Sequence, residues 1–193
     1  QLIPIIVETA KGRELRLATW GFVPPWLKSP MKAPPPINAR AETLTERPLF
    51  RGALRYQRCL IPADGFYEWK SLSGTKRKQP MYIQLKGGKM FGFAGLYAEP
   101  PADNPAEETC VIITTEPNDL MAQIHQRMPV ILNPDDESKW LDHRENRSDE
   151  VLKLLRPFPA EQMEAHAVSP LVNAATIDVP ELVQPDDEQP NLF

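Results

Sequence analysis

Glu68 stands between Tyr67 and Trp69, and His125 stands in Ile124-His125-Gln126-Arg127-Met128-Pro129. An acid and a base of these types can trade protons near neutral pH. Neighbouring side chains in an extended segment point to opposite faces, so the Glu68 carboxylate faces away from both aromatics. A carboxyl held among bulky groups with little water has a raised pKa, which suits general acid–base work. The same alternation also describes an ordinary Glu on a half-solvated strand, and the pattern leaves both readings open. His125 is open in the same way, as a proton shuttle or as a cation capping a short helix. A third stretch, Pro36-Ile37-Asn38-Ala39-Arg40-Ala41-Glu42-Thr43, adds the Asn38 amide and the Arg40 guanidinium.

A nucleophile is harder to find. Cys59 and Cys110 lie in apolar strand-like runs and read as small buried hydrophobes. Arg58 cannot activate Cys59 from the next position of a strand, because the two side chains diverge. The cysteines lack CxxC spacing, which argues against a structural zinc, and no metal or cofactor site is expected. No GxSxG elbow, P-loop, HExxH or GxGxxG is present. His143, in Asp142-His143-Arg144-Glu145, reads as solvated, and His166 as a satisfied, partly buried strand residue. In Trp20-Gly21-Phe22-Val23-Pro24-Pro25-Trp26-Leu27-Lys28, Trp20 is expected in the core. Trp26, held by two prolines, reads either as a stacking platform for single-stranded nucleic acid or as a cover for the core edge.

The elements that must position these groups are mostly short strands. Segments 2–7 and 14–22 form a hairpin across Ala10-Lys11-Gly12, and the proline-rich segment 27–36 is an extended loop. A helix is expected over 47–55, with Pro48 in its first turn. Strands over 59–62 and 66–70 flank Ala63-Asp64-Gly65, and 71–79 is a polar turn carrying Lys76-Arg77-Lys78. Strands follow at 81–85, 90–97 and 109–115, with Lys86-Gly87-Gly88-Lys89 as a hairpin turn between the first two. A one- or two-turn helix over 118–124, a strand over 129–132 and helices over 135–141 and 149–155 lead to Val168, where regular structure closes. Residues 184–193 read as a flexible acidic tail. The pattern is a single α+β domain over 1–183, with mainly antiparallel sheet and short flanking helices.

The 193 residues are 41% hydrophobic and 25% charged, which suits a folded domain rather than a disordered chain. No apolar run is long enough to span a bilayer, and two isolated cysteines fit a reducing cytosol. The net charge of −4 conceals an asymmetry, +10 over residues 1–90 and −14 over 91–193. A basic half hints at a polyanion-binding face, unless folding intermixes the two halves.

Taken in order, Trp20 through Trp26, Asn38 through Thr43, Arg58-Cys59 through Glu68-Trp69, and His125 through Pro129 resemble the SOS-response-associated peptidase (SRAP) family. Val168-Ser169-Pro170-Leu171-Val172-Asn173, followed by Glu181-Leu182-Val183, is similar to that family's C-terminal signature. The resemblance implies a SRAP-like domain that senses abasic sites in single-stranded DNA. Nothing in the sequence suggests an obligate dimer, so a monomer is expected, with no metal and no membrane as partners. The resemblance also implies a covalent thiazolidine crosslink through an N-terminal cysteine, with self-processing peptidase and lyase activity. Carried onto this sequence, Asn38 would orient that cysteine. Glu68 would exchange protons with the α-amine and the sugar ring oxygen, and His125 with the sugar hydroxyl. Arg40 and Arg127 would contact flanking phosphates, and Trp26 would stack on a neighbouring base. The basic half would supply the DNA groove, with the acidic half facing away.

The sequence opens at Gln1, without Met, inside a strand-like run. The family's leader with its cysteine is not among these residues, and the expectation is that the natural protein carries it. Two other readings stand beside the covalent sensor. One is a noncovalent single-strand binding module, and the other a peptidase acting in trans with Glu68 and His125 as its acid–base pair.

Overall fold

Alternation in the first twenty residues becomes an antiparallel hairpin, β1 (Leu2–Thr9) with β2 (Gly12–Trp20), paired from Leu2↔Thr19 to Thr9↔Gly12. In this computed structural model the described residues are 1–27, 31, 33–100, 107–144 and 148–186. The chain forms two compact units.

The first unit comprises Gln1–Pro62, Phe91–Glu116 and Pro129–Phe158. After the hairpin come β3 (Asn38–Arg40), α1 (Pro48–Tyr56) and β4 (Arg58–Ala63). The sheet runs in the order β2-β1-β4-β7-β8-β3, where β7 is Phe91–Ala98 and β8 is Thr109–Thr115. The end of β2 also pairs in parallel with β8, at Thr19↔Thr109 and Trp20↔Cys110, so the sheet closes on itself. This pairing covers the edge of β2 at its last two residues, Thr19 and Trp20. Two helices, α2 (Pro134–Leu141) and α3 (Ser148–Leu152), complete the unit. Phe50 and Leu54 of α1, Trp140 of α2 and Val151 of α3 share a core with Leu60, Leu96, Val111 and Ile113 of the strands.

Arg58, at the start of β4, is buried in this core and joins two helix ends. Its Nε donates to the Trp140 carbonyl at 2.5 Å and its Nη2 to that of Asp142 at 2.6 Å, both at the end of α2. Nη1 donates to the carbonyls of Leu54 and Arg55 in the last turn of α1, at 2.7 and 3.0 Å. The final carbonyls of a helix have no partner within it and carry the negative end of its dipole, so one guanidinium neutralises both termini.

The second unit comprises Ala63–Met90, Pro117–Met128 and Pro159–Phe193. Its sheet has the order β10-β6-β5, all antiparallel, from β5 (Gly65–Ser71), β6 (Lys78–Leu85) and β10 (Met163–Ala167). Tyr67, Tyr82 and His166 lie across from one another in register, their rings tilted by 55° and 52° with centroids 5.3 and 5.7 Å apart. Gly65 makes room for this ladder, since a Cβ there would lie 2.2 Å from the Tyr82 ring. Gly65→Ala is therefore expected to cost about 1–3 kcal/mol of stability, by overpacking against a rigid aromatic. Urea unfolding of the variant checks it, and an unchanged midpoint would mean that Tyr82 moves aside freely.

Several expectations are corrected. Lys86-Gly87-Gly88-Lys89 is a turn, with Gly87 and Gly88 at φ +81° and +63°, but not a hairpin turn: β6 and β7 belong to different sheets. Two adjacent glycines permit a reversal without specifying that the flanking strands pair. The helix expected over 118–124 shrinks to a 3₁₀ turn at Met121–Gln123, and α3 stops at Leu152. The strand over 129–132 is the two-residue β9 (Met128–Pro129), continued by a bridge from Ile131 to Phe93. Regular structure continues past Val168 through 3₁₀ turns at Pro170–Asn173 and Pro180–Val183. Trp20 is half-buried rather than core, its Nε1 donating to the Ile37 carbonyl at 2.8 Å. The two charge halves also intermix within the first unit, where Arg13 pairs with Glu137 and Arg16 with Glu99 and Glu108. Parts of the 27–36 loop and the last seven residues of the expected tail lie outside the described residues. Among the described residues, strands hold 37% beside three short helices, the mainly antiparallel α+β class read from the sequence.

Candidate active site

Strand alternation sets the direction of Glu68. In β5, Phe66, Glu68 and Lys70 share one face, while Tyr67 and Trp69 take the other. Trp69 is fixed on its own side by Nε1, which donates to Asn173 Oδ1 at 2.8 Å. The Glu68 side chain is 24% exposed, and its Oε1 lies 3.8 Å from His125 Nδ1. Burial pushes the Glu68 carboxyl above the usual range. The nearby imidazole, the Trp69 backbone amide and the Lys78 ammonium pull it back in part. A separation of 3.8 Å is within ion-pair reach but too long for a hydrogen bond, so the carboxyl is not consumed by the imidazole.

His125 owes its position to a local cap. Asn118 Oδ1 accepts from the Met121 amide at 2.9 Å, and the amides of Ile124 and His125 both donate to the Met121 carbonyl at 2.8 Å. The chain turns once and releases His125 with its side chain 43% exposed. Its Nδ1 lies 3.2 Å from the Arg127 amide nitrogen and 3.1 Å from the Arg127 carbonyl. A neutral Nδ1 accepts from the first, and a protonated Nδ1 donates to the second. The ring is therefore held in one place in both protonation states, as a proton carrier requires. Arg127 itself is half-buried.

The other expected site residues belong to the first unit. Asn38 and Arg40 both project from β3 on the exposed side, with Ala39 buried between them. Parallel pairing of Asn38 with Ile112 and of Arg40 with Thr114 fixes that orientation. Trp26 follows Pro24-Pro25 in a tight turn closed by the Leu27 amide on the Pro24 carbonyl at 3.1 Å, and the residue is 58% exposed. The structure thus brings together Glu68, His125 and the Arg127 backbone in the second unit, and Asn38 with Arg40 in the first.

Neither cysteine can attack a substrate in this state. Both are fully buried; burial raises the Cys59 thiol well above its usual range and pushes Cys110 up to about 12. Among the described residues, no group of three or more His, Cys, Asp or Glu side chains is arranged to hold a metal ion, and no helix is long and apolar enough to cross a membrane. Reading the sequence missed three supporting groups: Asn118, Asn173 and Lys78. Asn118 carried a usable signal, an Asn three residues ahead of the amide it caps. Asn173 and Lys78 carried none, because their roles depend on partners distant in the chain.

Comparison with known proteins gives this constellation its relatives. The profile of the family described as SOS response associated peptidase (SRAP) matches residues 1–175. The chain is similar to the abasic site processing protein YoqW of Bacillus subtilis, 47% identical over 186 residues, covering 95% of this chain and 82% of that protein. It is similar to the abasic site processing protein HMCES of Gallus gallus at 34% identity, covering 86% of this chain and 56% of that longer protein. A crystal structure of a protein from Bacteroides thetaiotaomicron matches at a TM-score of 0.83 and 32% identity, covering 96% of this chain and 82% of that one.

Proposed function

Because the chain belongs to the SOS response associated peptidase family, we propose that it processes abasic sites in single-stranded DNA by covalent capture of the open-chain sugar. The nucleophile in this reading is the α-amine of an N-terminal cysteine ahead of Gln1. An α-amine of pKa about 8 is partly neutral, and so nucleophilic, at cellular pH.

The chain's own residues move the protons. His125 takes the proton of the sugar C1′ hydroxyl while the Glu68 carboxyl gives one to the ring oxygen, and the bond between C1′ and that oxygen breaks to free the aldehyde. The amine adds to C1′ as His125 returns its proton to the aldehyde oxygen, and the surplus proton on the nitrogen passes to the Glu68 carboxylate. The resulting hydroxyl then leaves as water with that proton, giving a protonated Schiff base. The cysteine sulfur adds to the imine carbon as its thiol proton passes back to Glu68, closing a thiazolidine ring with one water lost in all. Asn38 orients the cysteine, Arg40 and Arg127 hold phosphates beside the lesion, and Trp26 stacks on a neighbouring base. Self-processing and lyase steps draw on the same acid–base pair.

The observation that carries this reading is the Glu68–His125 pair itself. It combines an acid whose pKa burial raises with a base 3.8 Å away whose Nδ1 has an Arg127 backbone partner in either protonation state. Intact mass of the protein with its natural amino terminus, before and after incubation with an abasic single-stranded oligonucleotide, tests it. The expected product is protein plus one DNA strand minus one water, stable to denaturation. Equal, noncovalent binding of abasic and intact strands would replace the proposal with a plain binding module. Cleavage of an added protein substrate without any adduct would replace it with a peptidase acting in trans.

A further inference from the structure

The turn that carries Lys76, Arg77 and Lys78 is not used by the chemistry above. Residues 72–77 form a closed loop between β5 and β6, with the Leu72 amide on the Arg77 carbonyl at 3.3 Å and the Thr75 amide on the Leu72 carbonyl at 3.2 Å. Gly74, at φ +74°, makes the reversal. The loop therefore presents its cations from a defined scaffold. All three side chains are exposed, and none makes an ion pair among the described residues. Of the other acids described in this unit, Asp64, Glu68 and Asp119 lie outside the C-terminal segment, and Glu161, Glu164, Asp178, Glu181 and Asp186 within it. Lys78 acts on Glu68 at a distance, and three adjacent cations repel one another, a repulsion that a polyanion relieves.

Their place in the sheet gives the cluster a direction. Ser71, paired with Lys78, is three residues along β5 from Glu68, about 10 Å at the rise of a strand. A stacked strand carries one phosphate per ~3.4 Å, so this distance corresponds to about three nucleotides. We propose that the β5–β6 turn is an arm that grips the DNA backbone through Lys76, Arg77 and Lys78, about three nucleotides from the sugar that meets Glu68. The proposal rests on the abasic-site reading for the identity of the strand. Its recognition chemistry is phosphate neutralisation, so it adds affinity without sequence preference.

The test is the salt dependence of binding, on intact and on abasic single-stranded oligonucleotides, for the wild type and Lys76→Ala/Arg77→Ala. Lys78 is left in place because its charge reaches Glu68. Each phosphate contact on a single strand contributes ~0.7 to the slope of log affinity against log salt, so the double variant is expected to lose about 1.4. Between 50 and 200 mM salt, the wild type should then lose about sevenfold more affinity than the variant. Lys76→Arg, which keeps the charge, should keep the slope, and thermal unfolding checks that both variants fold. An unchanged slope in a folded double variant overturns the arm, whether or not an adduct forms. A reduced slope on both strands without any adduct supports the arm and instead removes the covalent reading.

Discussion

Glu68→Gln, made in protein with its natural amino terminus, is expected to slow adduct formation on an abasic oligonucleotide by about 10²–10⁴-fold. Affinity for an intact oligonucleotide should stay unchanged. Glutamine keeps the shape and the hydrogen-bonding reach of the side chain but can neither give nor take a proton. In the wild type, burial holds the carboxyl protonated to a higher pH than an ordinary Glu, against the pull of His125, the Trp69 amide and Lys78. The step that needs the acid should therefore fade as pH rises through the raised folded pKa, and the variant should lose that limb of the profile. Stability carries the opposite mark. With its pKa raised in the folded state, Glu68 contributes stability that is present below its unfolded pKa and lost as pH rises through the folded one. Glutamine stays neutral throughout, so the variant should be more stable than wild type at pH 7–8 and lose that advantage on acidification. A variant that reacts at the wild-type rate would remove Glu68 from the chemistry.

Arg58→Met is expected to be the most damaging substitution outside the site, at about 4 kcal/mol or a Tm lower by roughly 8–16 °C. Its guanidinium serves four carbonyls at the ends of α1 and α2 and lies 5.6 Å over the Trp140 ring. Methionine fills part of the volume but leaves those carbonyls without donors in a buried place. Such a loss costs more than the hydrogen bonds contribute on balance, because the acceptors lose both the arginine and water. Lysine restores one charge with three donors on a single nitrogen, which cannot span two helix ends, so Arg58→Lys should recover less than half of the loss. Chemical denaturation of both variants decides the matter, and a loss under ~1 kcal/mol for methionine would mean that water satisfies the helix ends.

Much of the site was already legible in the residue order. The period of two in β5 separates Glu68 from Tyr67 and Trp69, and that alternation is local geometry that any strand obeys. A run of small and apolar neighbours marked both cysteines as buried, whereas no strand was expected over 38–40 and only pairing with β8 put Asn38 and Arg40 on one side. Apolar spacing and proline placement located α1 and α2 to within a residue or two. The motifs in their order placed the chain in its family and the strands in their class.

Only the tertiary structure decided which of these groups meet. Glu68 and His125 come from elements far apart in sequence, and their 3.8 Å separation follows from how the segment after Pro117 packs within the second unit. Arg58 read as a flank of Cys59, yet it joins two helix ends because its length and five donors reach carbonyls that no local pattern connects. The glycine pair at 87–88 announced a turn but not that β6 would pair with β5 and β10 instead of β7. Sequence determines torsion preferences, side-chain chemistry and the face each residue takes, since these depend on near neighbours. Pairing partners, burial of a charge and the pKa that follows are set by distant contacts, and those exist only once the chain has folded.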